Sequence, residues 1–177
     1  MTYYGAKQLA DAFRTVRKNT IVLAEEIPAG KYDFTPAAEV RTVRAQLAHI
    51  AMATGWQVRF HREGGKSIDF ERFSAVLARN TADEQSLATK DQIIEALRTG
   101  GEEFASFLES LDEARLAETI SFPAQLGSKS RFEMLTGIKE HEMHHRAQLM
   151  LVQRLLGIVP HLTRQRQEMR AAAAAKV

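Results

Sequence analysis

Residues 130–157 read SRFEMLTGIKEHEMHHRAQLMLVQRLLG, and the fold turns on how that stretch is read. Ser130 followed three residues later by Glu133 forms a capping box, in which each side chain satisfies a backbone N–H at the start of a helix. Met134, Ile138, His141, His145, Val152 and Leu156 then return to one face at helical spacing. Gly157 offers a left-handed cap and Pro160 bars continuation. The stretch predicts one long helix ending at Leu156. On a wheel of about 100° per residue, His141 and His145 fall in the middle of its apolar stripe, and Arg146 points outward.

Three more helices read the same way. Leu9, Phe13, Val16, Thr20, Leu23 and Ile27 mark a helix from Ala6 to Ile27, stopped by Pro28 and Gly30. A loop over 28–41 follows, and Thr42 is the N-cap residue expected for a second helix over 43–62. That helix carries two apolar stripes, so it is covered on more than one side. Thr89 and Gln92 form another capping box, opening a third helix through Leu111, with Gly100 and Gly101 expected to weaken or kink it. Residues 66–88 are the least periodic, with one short helix expected at Phe70–Leu77. Residues 117–130 read as an extended loop, and no strand pair is evident. Four long helices joined by long connections predict an all-α four-helix bundle over 1–163. The tail, 164–177, is read as a short fifth helix or a frayed end.

Composition narrows the function. The 177 residues are 26% charged and carry a formal net charge of +2, with basic residues scattered among acidic ones, which argues against a nucleic-acid partner. No run of about 18 apolar residues spans a membrane. There is no cysteine, which excludes disulfides, thiolate ligands and a cysteine nucleophile. The N-terminus has no apolar leader segment, so the cytoplasm is the expected compartment.

The histidines carry the chemistry. Two imidazoles at i, i+4 on a buried face converge on one point, the spacing that grips an ion. A single core histidine is better read as satisfied by a hydrogen bond. A pair among Met, Ile, Leu and Val has no such partners nearby, which favours metal. His49 lies on an apolar face of the second helix, so His49, His141 and His145 could meet at one ion and leave positions open. His61 and His161 are expected at the surface, while His144 is open between supporting a ligand and an interface.

H-E-x-x-H over 141–145 also matches a zinc-peptidase motif in which Glu142 would act as base. The longer motif fails, because Gln148 stands where glycine is needed and Leu151 where the third histidine is needed. Glu142 would serve as a base only by turning inward from the flank.

The stretch AGKYDFTPAAEVRTVRAQLAHI at 29–50, followed much later by HEMHHRAQL at 141–149, resembles the DinB/YfiT-like superfamily of bacterial four-helix-bundle proteins. The shared features are a Tyr-x-aromatic-x-Pro segment before a helix with one histidine, and a later H-x-x-H-H-R-x-Q-L helix. Ala147 replaces the glycine usual between that arginine and glutamine. The resemblance implies a divalent metal, zinc or nickel, on His49, His141 and His145, and a homodimer. It also implies a small-molecule substrate, with a low-molecular-weight thiol as partner in some relatives. Three neutral histidines leave the ion its full double charge, enough to acidify a bound water or hold a thiolate. Enzymatic S-transfer or hydrolysis therefore stands beside a non-catalytic metal-binding or stress-response role.

Overall fold

Each long helix buries one apolar face, and the four faces meet in a shared core. The computed structural model describes residues 4–123 and 126–175. Its helices are α1 (Ala6–Glu26), α2 (Val43–Arg62), α3 (Phe70–Ser86), α4 (Lys90–Glu109), α5 (Glu113–Ala117), α6 (Arg131–Leu155) and α7 (His161–Ala174). The bundle is made of α1, α2, α4 and α6, with α4 and α6 each packed against both α1 and α2. Lys90 at the start of α4 reaches the carbonyl of Ile27 beyond α1, so those helices run antiparallel. Arg17 meets Glu142 and Glu26 meets Gln153, so α6 runs parallel to α1. Gln46 and His49 meet residues 141–148, so α2 opposes α6. Consecutive α1 and α2 are therefore diagonal, joined by the 27–42 connection across one end.

The predicted start signals are present. Thr42 Oγ1 accepts from the Ala45 N–H at 3.1 Å, and both the Thr89–Gln92 and Ser130–Glu133 capping boxes form. The connection is pinned by Tyr32, whose hydroxyl donates to the Ala24 carbonyl at 2.8 Å.

Besides a small cluster of Phe60, Ile68, Ile120 and Met134, the core has two large apolar clusters. One gathers Leu23, Ile27, Val43, Leu47, Ile93, Leu97 and Leu149; the other gathers Leu9, Phe13, Val58, Phe104, Leu108 and Leu135. Between them lies a buried ion pair, Arg17 with Glu142, at 2.9 Å. Arg17 also donates to the carbonyls of Leu97 at 2.8 Å and Ile50 at 3.4 Å, so it touches all four bundle helices.

Several expectations are corrected. The 66–88 segment forms a helix nine residues longer than expected, Phe70–Ser86 rather than Phe70–Leu77, started by an Asp69 cap. It has no buried residue, and its half beyond Leu77 carries no large apolar side chain by which its length could be read. α4 runs unbroken through Gly100 and Gly101. A Cβ on Gly101 would stand 2.7 Å from Arg17 Cγ, so this glycine makes room for the buried arginine rather than a kink. The 117–130 loop contains a two-stranded antiparallel ladder, β1 (Thr119–Ser121) with β2 (Ser128–Ser130). Three-residue strands carry too little alternation to be read, and part of that loop, 124–125, lies outside the described residues. The tail is helical as α7, beginning at His161, and its last two residues, 176–177, lie outside the described residues. Among the described residues no helix is long and apolar enough to cross a membrane.

Candidate metal centre

α2 and α6 lie side by side, and their antiparallel run brings His49 opposite the His141–His145 turn. The buried residues of α6 are Arg131, Met134, Leu135, Ile138, Glu142, Leu149, Val152 and Gln153, so Glu142 lies within the buried stripe. His141 and His145 fall roughly 100° and 60° to one side of it, toward α2. They sit on the seam rather than mid-stripe, half-buried where solvent still reaches.

The three imidazoles converge through their Nε2 atoms. His141 Nε2 is 3.0 Å from His49 Nε2 and 3.1 Å from His145 Nε2. The outer nitrogens of His49 and His145 are held elsewhere. His49 Nδ1 is 2.8 Å from Glu84 Oε1 on α3. A carboxylate only accepts, so Nδ1 carries the proton and Nε2 presents a lone pair. His145 Nδ1 is 3.0 Å from Gln148 Oε1, and the Gln46 amide bridges that nitrogen and Gln148 Oε1 at 2.6 Å. When Nδ1–H donates to Gln148, His145 Nε2 is also a lone pair; when Nδ1 accepts from the Gln46 amide, the ring proton lies on Nε2.

Lone pairs facing one another at this separation repel unless a proton or a cation stands between them. Burial, with the neighbouring histidines adding, pushes the His141 pKa down to about 4, and burial likewise lowers that of His145. A second, charging proton on these rings is thus disfavoured at neutral pH. Three nitrogens around a tetrahedral ion with bonds near 2.0–2.1 Å stand roughly 3.3 Å apart, close to the spacing here. The donor set therefore fits a divalent ion of the borderline class served by imidazole. The group comprises these three side chains among the described residues, with no protein carboxylate as a fourth member.

Glu142 does not face this cluster. It is 1% exposed and both carboxylate oxygens accept from Arg17 Nε, at 3.1 and 3.0 Å. The peptidase reading loses its base, because the carboxylate is committed to the core ion pair. His61 and His161, expected at the surface, are 1% and 5% exposed. His61 Nδ1 accepts from buried Arg131, and its Nε2 donates to Gln57 Oε1 at 3.0 Å. Burial, then the Arg131 and Arg115 charges, push the His61 pKa down to about 3. His161 faces Asn19 Oδ1 at 3.2 Å. Neither joins the cluster. His144 is exposed, with Nε2 3.2 Å from Gln148 Nε2, so it supports the amide that supports His145. Arg146, expected outward, is half-buried and donates to the Val16 carbonyl at 3.1 Å.

Gln46, Gln148 and Glu84 had no assigned role in the sequence. Gln46 is three residues before His49 and Gln148 three after His145, a same-face spacing that was available as a signal. Glu84 had none, since it comes from an aperiodic segment and meets His49 only through packing. Beside His145 opens a groove of about 610 Å³, lined by Val40, Arg41, Gln46, Gln148, Leu151 and Leu155 among others.

No protein of curated function matches the chain. Among solved structures, a DinB-like protein, YjoA, from Bacillus subtilis superposes with a TM-score of 0.64 at 24% identity, covering 85% of this chain and 92% of that one. YfiT from Bacillus subtilis, described as a probable metal-dependent hydrolase with an unusual four-helix bundle topology, gives a TM-score of 0.69 at 13% identity over 89% of this chain and 91% of that one. At these identities the likeness shows a shared fold. The family profile of the DinB superfamily matches residues 12–149, most of the bundle and all three histidines of the cluster, and the chain belongs to that superfamily.

Proposed function

We propose that His49, His141 and His145 hold one divalent ion, zinc or nickel, and that the protein is a metal-dependent enzyme acting on a small molecule. The reaction class is hydrolysis, or transfer to a low-molecular-weight thiol. The observation that supports this most is the convergence of three Nε2 atoms, with the outer nitrogens of His49 and His145 held by Glu84 and the Gln46–Gln148 amides. Such outer partners set ring orientation and tautomer before an ion arrives. The YfiT description points to hydrolysis; the chain has no cysteine, so any thiol must come from outside.

An ion bound there supplies Lewis-acid chemistry, lowering the pKa of a water or thiol that reaches it. The chain's part is to hold neutral donors, to keep the site half-open on the α2–α6 seam, and to offer an apolar groove beside His145 for the substrate body. Glu142 is excluded as the proton acceptor. Exposed Val40, Leu151 and Leu155 at that groove support a homodimer as the assembly, which sedimentation would test.

Elemental analysis of purified protein should find about one ion per chain. His49→Ala, His141→Ala and His145→Ala should each lose most of it, and His144→Ala should retain it. A near-full complement in any of the first three removes that residue from the site. Ester hydrolysis and thiol conjugation, assayed with and without the ion, separate the two reaction classes. Metal-independent rates in both would leave a binding role.

A further inference from the structure

The contact from α3 to His49 has consequences beyond ligand identity. α3 packs on α2 without a single buried residue, and it leaves Phe70, Phe73 and Leu77 exposed by 64%, 44% and 51%. Burial of apolar side chains therefore contributes little to holding this helix. At its N-terminal end, Arg72 reaches Glu63 at 3.4 Å and lies over the Phe60 ring. In its C-terminal half, among the described residues, the one side-chain hydrogen bond to the bundle is Glu84 Oε1 to His49 Nδ1 at 2.8 Å. Both partners are about four-fifths shielded, at 21% and 20% side-chain exposure, so the bond is screened less than a surface pair.

The partner's chemistry matters. Gln46 and Gln148 around His145 are amides, which can donate or accept. Glu84 is a carboxylate, which only accepts, so it fixes His49 in the tautomer that frees Nε2. Its negative charge also offsets part of any cation's charge on the far side of the ring. Since a cation polarises the ring and makes Nδ1–H a stronger donor, the bond to Glu84 tightens when an ion is bound, and the two events favour each other.

We infer that Glu84 is the positioning carboxylate of His49, and that through this bond the metal state of the site sets how firmly α3 is held against α2. The inference rests on the three-histidine reading above.

The test uses the full chain, stripped and then titrated with zinc or cobalt(II). Glu84→Ala should weaken metal binding about 10–100-fold, the usual effect of losing an outer partner. Glu84→Gln, which still accepts but carries no charge, should fall between. The visible absorption of the cobalt(II) form should shift in Glu84→Ala and return most of the way in Glu84→Gln. Hydrogen exchange across 78–86 should slow on metal loading in the wild type and not in Glu84→Ala. The metal-free proteins should differ in melting by no more than the few degrees that one lost hydrogen bond costs; a variant that fails to fold without metal would make Glu84 structural and overturn the positioning role. Affinity within twofold of wild type with an unchanged cobalt spectrum overturns it as well. Exchange that is indifferent to metal in the wild type overturns the coupling to α3. Wild-type protein that takes up no ion overturns the three-histidine reading itself, a different result from wild type binding and Glu84→Ala binding equally.

Discussion

At the scale of single residues, Glu142 shows how neighbours in sequence serve opposite ends of the chemistry. His141 faces the α2 seam, while Glu142, one residue on, is turned into the core against Arg17. Sequence reasoning placed this acid on the flank, about 100° around the helix from His141, which it took as mid-stripe. Its counter-charge lies 125 residues away on α1, which no local pattern reveals. Glu142→Gln should retain its metal, since its carboxylate does not face the cluster. It should nevertheless lose about 3 kcal/mol of stability, the scale for stranding one partner of a buried pair. Denaturant titration and metal analysis of one preparation read both. Unchanged stability would mean that the pair contributes little. Metal-dependent peptide cleavage abolished in a folded Glu142→Gln protein would restore the peptidase reading.

Among elements, α4 tests why a pair of glycines sits inside a helix. Each glycine costs about 1 kcal/mol against alanine in a helix interior, so propensity alone favours replacing both. Gly100 faces Thr54 Oγ1 at 3.5 Å and the Ala51 carbonyl at 3.6 Å, ordinary contacts for a methyl group. Gly101 faces Arg17 Cγ at 2.7 Å, too close unless the arginine moves and strains its four-helix bonding. Gly100→Ala should therefore gain roughly 0.5–1 kcal/mol, whereas Gly101→Ala should lose stability despite its better propensity. Thermal melts of the two variants give the opposite signs directly, and equal gains would show that Arg17 yields at little cost. The capping boxes on α4 and α6 were legible because they are local, three residues from end to end. The length of α3 was not, because its apolar positions Phe70, Phe73 and Leu77 end there and 78–86 carry no large apolar side chain to extend the period.

For the whole molecule, apolar cores on both sides of the Arg17–Glu142 layer mean that the bundle does not depend on an ion for its fold. Chelation at neutral pH should lower the melting temperature and leave the helical circular dichroism in place. The stripped protein should then lose stability on acidification. His61 stays neutral in the fold down to about pH 3, and His141 to about pH 4, whereas unfolded imidazoles protonate near their ordinary value of 6.5. Between those limits the unfolded chain binds more protons, so the contribution is complete above pH 6.5 and is lost as the pH falls toward 3. For His61 alone this is about 2 kcal/mol at pH 5. A stability profile flat from pH 7 to 5, or His61 ring resonances titrating near 6.5, would contradict the burial that drives it. The same whole-molecule view separates what each level decided. Helix positions, caps, the four-helix bundle and the candidate histidines were determined by the chain itself, because period, capping and i, i+4 spacing are local properties. Which way His49 faces, that Glu84 meets it, that Glu142 is spent on Arg17, and that His61 and His161 are inside were decided only by packing. Those contacts join residues dozens of positions apart, and their partners exist only once the diagonal arrangement of α1 and α2 has brought four helices around one core.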